Sequence, residues 1–304
     1  MPVRAAPVVP PGSDIMKYRI FADATADLSD HFMAGLPQVE IIPMKVEICG
    51  REYTYGPGGN LTNSQFYKLQ REGNFASTSQ INPATYIDFF EPVLKKGEDI
   101  LYLCFSSGMS STYESAQIAV QELAELYPDR KIVCIDSKGA TQGEALMIRE
   151  AVKMQQSGAE LEDVAQWMME HRMQVCYGVL VDTFDHLKHG GRVSATAAVM
   201  GTMLQIKPML RLDENGKLEV IGKPRGRKKA YTDLVSRMAQ SWAPELGKSV
   251  LIVHGDCLEY AEELSKHIVA RLPDAEIEID ELGPVIGAHT GPGLLALIYW
   301  GNIR

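Results

Sequence analysis

Ser106, Ser107, Ser110, Ser111 and Thr112 crowd the seam in LYLCFSSGMSSTYESA (101–116), where an apolar run gives way to a helical pattern. Hydroxyls at the start of a helix suit an anion, because unpaired backbone N–H groups, the positive dipole end and O–H donors all favour a carboxylate or phosphate. Helix formation uses only part of this crowd. Ser111 stands three residues before Glu114, the spacing of a capping box. Ala116, Ala119, Val120, Leu123 and Leu126 then recur as a buried helical stripe. Ser106, Ser107 and Ser110 remain spare, and Gly108 lets the backbone approach a bound group closely.

A second corner, ASTSQINPATYIDFF (76–90), has the same habit. Asn82 and Pro83 form a cap and first-turn pair ahead of the apolar face of Tyr86, Phe89, Phe90, Val93 and Leu94. Thr78 and Ser79 precede the cap and are spare. If the two helix starts converge, they build one anion site; taken singly, each reads as an ordinary polar turn. In GPVIGAHTGPG (283–293), His289 and Thr290 sit among glycines that permit a tight wrap around a ligand. An imidazole there can donate to a carboxylate, or it can be structural.

Weaker signals surround these. FADATADLS (21–29) and IDSKGATQG (135–143) set Asp23, Thr25, Asp27, Asp136 and Ser137 after two more apolar runs. DATAD lacks the second Asp of the DxDxT phosphatases, so bonds that hold the corner loops together are the better reading. Arg192 follows two glycines in HGGRVS, and KPRGRKK (223–229) gathers Lys223, Arg225, Arg227, Lys228 and Lys229. That cluster is either a solvated helix start or a surface for a phosphate-bearing or acidic partner. No GxSxG elbow frames Ser107 and no GxxxxGK[ST] loop occurs. His186 and His189 lack a carboxylate partner pattern, so no metal site is expected.

The elements that must position these corners follow from the whole chain. At 304 residues, 45% hydrophobic and 23% charged, it is long enough for two globular domains. A net charge of -9 argues against nucleic-acid binding, which needs surplus basic residues on a face. Five cysteines without a CxxC pair suggest neither disulfides nor zinc and fit a reducing cytoplasm. Cys49, Cys104, Cys134 and Cys176, at apolar runs, read as buried hydrophobes. The proline-rich residues 1–15 read as a disordered extension. The uncharged stretch 282–303 is broken by Gly and Pro, so no stable membrane insertion is expected.

YRIFAD, DILYLCF and KIVCID alternate with helical periods, the signature of α/β architecture with parallel strands. A parallel-sheet N-terminal domain over 16–172 carries a small β insertion near 39–60, centred on Gly50. A second α/β domain over 173–304 includes a hairpin at Asn215-Gly216. Met200, Met203, Leu204, Ile206, Met209 and Leu210 suit either a core or an apolar tunnel.

In series, FADATADLS, TSQINP, SSGMSSTYESA, IDSKGATQG, HGGRVS, PRGRKKA, VHGD and GPVIGAHTGPG resemble the DegV family from about Tyr18 to the terminus. These bacterial proteins bind a fatty acid, and the better understood members present it to a separate fatty-acid kinase. The resemblance implies a two-domain DegV-like fold with the acyl chain buried between domains, and a carrier rather than an enzyme, without a cofactor. It implies a carboxylate site at Thr78, Ser79, His289, Thr290 and a serine of the SSG corner, Ser107 first, with Ser106 and Ser110 as alternates. It also implies that Arg192, Arg225 and Arg227 meet the kinase or a transferred phosphate. Departures are Ala24 in place of the family's serine, which weakens one supporting bond, Ser111, and Ile81 and Asn82 in TSQINP. None removes an implied ligand of the carboxylate. The competing reading is a hydrolase or phosphotransferase using Ser107 or Asp23 with His289, and a third is a regulatory module that meets a protein through its basic cluster.

Overall fold

The structure, a computed structural model, describes residues 17–193, 205–302 and 304. The expectations for residues 1–15 and for Met200, Met203 and Leu204 lie outside them. The first sheet is wholly parallel. β1 (Tyr18–Asp23) lies between β2 (Glu40–Ile42) and β6 (Asp99–Cys104), with β7 (Ile132–Asp136) beyond β6. Pairing of Ala22 with Leu103 and of Cys104 with Asp136 brings the ends of three strands to one edge. The polar corners after those strands are therefore neighbours, at the edge where open parallel sheets bind ligands.

The connections differ in one respect from the expected strand-helix alternation. After β1 the chain makes a short 3-10 turn, Ala24–Ala26, capped by Asp23. The insertion is also larger than the span 39–60. β3 (Met44–Ile48) and β4 (Arg51–Tyr55) form the hairpin, turning at Cys49 and Gly50 with φ of 55° and 68°. Its third strand is β5 (Ala76–Ser79), which pairs Thr78 with Val46 and Ser79 with Lys45. β2, inside the expected span, belongs to the parallel sheet. The turn at Cys49 leaves that thiol exposed, against the expected burial, while Cys104 and Cys176 are buried and Cys134 is half-buried.

Helix α1 (Asn63–Arg71) starts from a Thr62–Gln65 capping box, and α2 (Pro83–Leu94) from Asn82, whose side chain accepts from Thr85 N–H. Ser111 precedes α3 (Thr112–Leu126) but makes no capping bond. Ser110 Oγ accepts from Thr112 N–H at 3.3 Å instead. α4 (Gln142–Gln156) is followed by α5 (Leu161–His171). The first half of α4 is buried on every side, because it lies between the two sheets and shares one hydrophobic core with both.

The second sheet has the order β10-β9-β8-β13-β11-β12, with β8 (Val175–Leu180), β9 (Met209–Leu212), β10 (Leu218–Gly222), β11 (Ser249–His254), β12 (Glu276–Glu281) and β13 (Leu295–Trp300). Only β11 and β12 pair in parallel. The β9–β10 hairpin turns through Asn215 and Gly216 as expected. Helices α6 (Asp185–His189), α7 (Arg227–Ser241) and α8 (Leu258–Arg271) belong to the same domain. Met209 and Leu210 are core residues. The glycine-rich segment is not a loop: Pro284–Thr290 is helix α9. Gly287 serves close packing there, since a Cβ would press on Tyr67 Oη at 2.7 Å and on Phe66. No helix among the described residues is long and apolar enough to cross a membrane.

Candidate functional site

A cavity of about 460 Å³ lies between the domains, within the range of small-molecule sites. Phe105 from one domain and Tyr177, Leu212, Leu218, Val285 and Leu294 from the other make much of its wall. Thr78, Ser79, Ser107, Ser110, His289 and Arg192 are among its polar lining residues. Ser111, read as a cap, also reaches it. Of the two helix starts read from the sequence, that of α3 meets the cavity. The cap of α2 does not line it; the TSQ hydroxyls arrive on strand β5.

Thr78 Oγ1 lies 2.7 Å from His289 Nε2. Burial, with the charges of Arg192 and His189, holds the imidazole down at about 4, so it is neutral at pH 7. Its Nδ1 is buried without a hydrogen-bond partner among the described residues. Gly190 has to be glycine here, because any Cβ would strike that nitrogen. Arg192 donates through Nε to Met109 O at 3.2 Å and through Nη1 to Gly190 O. It therefore ties the SSG corner to the turn beneath His289.

The serines divide by role. Ser106 is fully buried; its Oγ donates to Gly216 O at 2.9 Å and accepts from Gly108 N–H at 3.1 Å, and it does not line the cavity. It fastens the β9–β10 hairpin to the SSG corner. Ser107 lines the cavity and its Oγ donates to Asp136 Oδ2 while accepting from Lys138 Nζ. Burial alone would raise Asp136, but the bonds from Lys138 and Ser107 outweigh it and hold the carboxyl below its ordinary value. Ser110 Oγ lies 2.8 Å from Thr112 Oγ1. Ser79 is exposed at the cavity margin. Thr290 lines it too, but its hydroxyl is bonded to Ile286 O within α9.

Two lining residues, Thr25 and Thr141, turn their hydroxyls away from the cavity. Thr141 Oγ1 donates to Asp27 Oδ2 at 2.6 Å, and Thr25 Oγ1 meets both Asp23 and, at 3.1 Å, Glu144 Oε2. Asp23 is fully buried and accepts from Thr25 N–H, Tyr102 O–H and Phe105 N–H as well. Burial raises both acids: Glu144 is pushed well up by burial and the charge of Asp23, and Asp23 is raised by burial despite the donors around it. Burial likewise lifts Asp27 to about 7. These acids hold loops and are enclosed from the cavity.

The basic residues differ in setting. Arg192 lines the cavity, Arg225 is exposed, and Arg227 bonds to Asp182 Oδ1 at 2.7 Å and lies over the Tyr260 ring. Sequence reasoning passed over Lys138, Thr141 and Tyr177. Lys138 and Thr141 hold left-handed backbone, with φ of 51° and 46°, which is costly for a β-branched residue and concentrates at ligand sites.

A family model described as an uncharacterised protein of the DegV family matches residues 17–302. A DegV domain-containing protein of Clostridium perfringens is 38% identical over 288 residues, covering 95% of this chain and 99% of that one. A solved structure described as fatty acid binding of a DegV family protein from Thermus thermophilus superposes with a TM-score of 0.82 at 27% identity, over 94% of this chain and 100% of that one. The Streptococcus pneumoniae Fatty Acid Kinase (Fak) B3 protein, loaded with linoleic acid, shares the fold with a TM-score of 0.83 at 20% identity, over 94% and 100% of the two chains.

Proposed function

The chain belongs to the DegV family, and from that premise we propose that it is a cytoplasmic carrier that buries the chain of a long fatty acid between its domains. The single observation that carries this is an interdomain cavity with apolar walls and the Thr78–His289 pair among its polar groups. Each buried methylene contributes roughly 0.8 kcal/mol, so about twelve give near 10 kcal/mol before ordering costs. A charge-assisted hydrogen bond adds about 1.5 to 3 kcal/mol. The tail therefore sets affinity and the hydroxyls set orientation. In this reading Thr78, Ser107 and His289 hold the carboxylate, with Ser79, Ser110 and Thr290 beside them. Ser106 is left out, since its hydroxyl is spent on Gly216.

The domains in this reading divide at 16–172 and 173–304, with the carboxylate site at their seam. A separate fatty-acid kinase phosphorylates the bound carboxylate to an acyl phosphate, and Arg192, Arg225 and Arg227 serve that encounter. The carrier needs no cofactor. Five free cysteines fit a reducing compartment.

The hydrolase reading finds less support. His289 bonds to Thr78 rather than Ser107, Ser107 is engaged by an ion pair, and Asp23 is enclosed by donors. Native mass spectrometry of the purified protein, before and after delipidation and with palmitate or oleate added back, tests the carrier. A bound acyl mass that leaves and returns supports it; no acyl ligand and no uptake ends it.

A further inference from the structure

Ser107 faces the cavity with its hydroxyl already committed. Its Oγ donates to Asp136 Oδ2 at 2.5 Å and accepts from Lys138 Nζ at 2.9 Å. Lys138 Nζ is also 2.8 Å from Asp136 Oδ2. The same carboxylate takes the backbone N–H of Ser107 at 3.1 Å and that of Lys138 at 3.0 Å. The three side chains close a ring in which the only hydroxyl proton points at a carboxylate. So set, Ser107 offers an incoming anion a lone pair, which repels it.

Lys138 supplies the way out. An ammonium has three N–H donors, and this one already touches Asp136, so Asp136 stays paired when the Ser107 proton turns toward a ligand. Donation from Lys138 to Oγ also polarises the hydroxyl and strengthens it as a donor. The corner is built to hold this arrangement. Lys138 sits at φ 51°, its carbonyl accepts from Arg304, and the Asp136 carbonyl accepts from Arg172 Nη1 at 2.6 Å. Neither Asp136 nor Lys138 lines the cavity, so both act through Ser107.

We propose that Lys138 and Asp136 are positioning residues that form an ion-pair switch behind Ser107 and set how far the cavity prefers an anionic head group to a neutral one of the same length. Lys138 favours the anion and Asp136 opposes it by competing for the Ser107 proton. The proposal rests on the fatty-acid reading above, and it assigns opposite signs to two partners of one salt bridge. A purely structural pair would give the same sign.

The test compares dodecanoic acid with 1-dodecanol, measuring dissociation constants of both for the whole protein and for Lys138→Met and Asp136→Asn. The acid-to-alcohol preference falls about tenfold in Lys138→Met, the difference between a charge-assisted and a neutral bond. It rises severalfold in Asp136→Asn, while alcohol affinity stays within about twofold of wild type in both. A preference that is unchanged, that moves the same way in both variants, or that changes only because alcohol binding is lost too, overturns the switch and leaves the carrier standing. If the wild-type protein binds neither ligand, the fatty-acid reading itself fails and the switch falls with it.

Discussion

Thr78 and His289 stand 211 positions apart in the chain and meet at 2.7 Å, joining β5 of the insertion to the last turn of α9 in the second domain. The positive charge of Arg192 disfavours a protonated imidazole. Nδ1 has no partner among the described residues, so the ring's hydrogen bond runs through Nε2; in the Nε2–H tautomer the imidazole donates to Thr78 Oγ1 and leaves the threonine proton for a ligand. On the carrier reading, Thr78→Val and His289→Ala each weaken fatty-acid binding by about 1.5 to 3 kcal/mol, roughly ten- to a hundredfold. The double variant loses far less than the sum, because the two act as one donor. Titration calorimetry on the four proteins gives the coupling; strict additivity would mean that they bind independently.

His289 also predicts a pH dependence of stability. Its folded value of about 4 lies below the ordinary 6.5, so between those values the unfolded chain binds a proton that the folded chain refuses. The contribution is complete above pH 6.5 and is lost as pH falls toward 4, amounting to roughly 3 kcal/mol over the window. In His289→Gln that component is missing. The stability lead of wild type over the variant therefore shrinks as pH falls from 7 to 4. Urea unfolding at several pH values measures it; parallel curves would show that the imidazole does not titrate as its burial requires.

Much of this site was legible because its signals are local. Spare hydroxyls at Ser107, Ser110 and Thr78 stand out once helix caps are subtracted, and the capping residue Asn82 behaves as its sequence says. What escaped depends on competition or on distance. The capping box expected from Ser111 and Glu114 makes no bond, and it is Ser110 that accepts from a backbone N–H at this corner, that of Thr112. ASTS is too short and too polar to betray a strand, yet it pairs with β3 because that hairpin otherwise has an open edge. Glycines in GPVIGAHTGPG read as permitting a tight wrap around a ligand, whereas Gly287 lets a helix pack against Tyr67. The Lys138–Asp136–Ser107 ring joins two strand ends that become neighbours only through the pairing of Cys104 with Asp136.

Ser106 and Ser107 are adjacent and easily confused by sequence, and their environments predict different losses. Ser106→Ala removes the bond to Gly216 O that fastens the β9–β10 hairpin to the SSG corner, and leaves that carbonyl and the half-buried Gly108 N–H short of a partner. A destabilisation of about 1 to 3 kcal/mol follows, with little change in preference for acid over alcohol. Ser107→Ala acts the other way round, since its hydroxyl lines the cavity: acid binding falls and stability changes less. Thermal unfolding and ligand titration on the same two variants separate the roles. Loss of acid preference in Ser106→Ala at unchanged stability would reverse the assignment.

Arg225 gives the cleanest probe of a protein partner. Arg227 is held by Asp182 and the Tyr260 ring, and Arg192 lines the cavity, so reversing either charge disturbs the fold or the ligand site together with any docking. Arg225 is exposed and lines no part of the cavity. If a kinase approaches through this basic segment, Arg225→Glu slows association severalfold or more and makes it less sensitive to salt, because a rim charge acts mainly on the encounter rate. Fatty-acid affinity stays at the wild-type value. Surface plasmon resonance with a fatty-acid kinase, at low and moderate ionic strength, measures both effects. Equal association rates for wild type and Arg225→Glu would place the partner on another face.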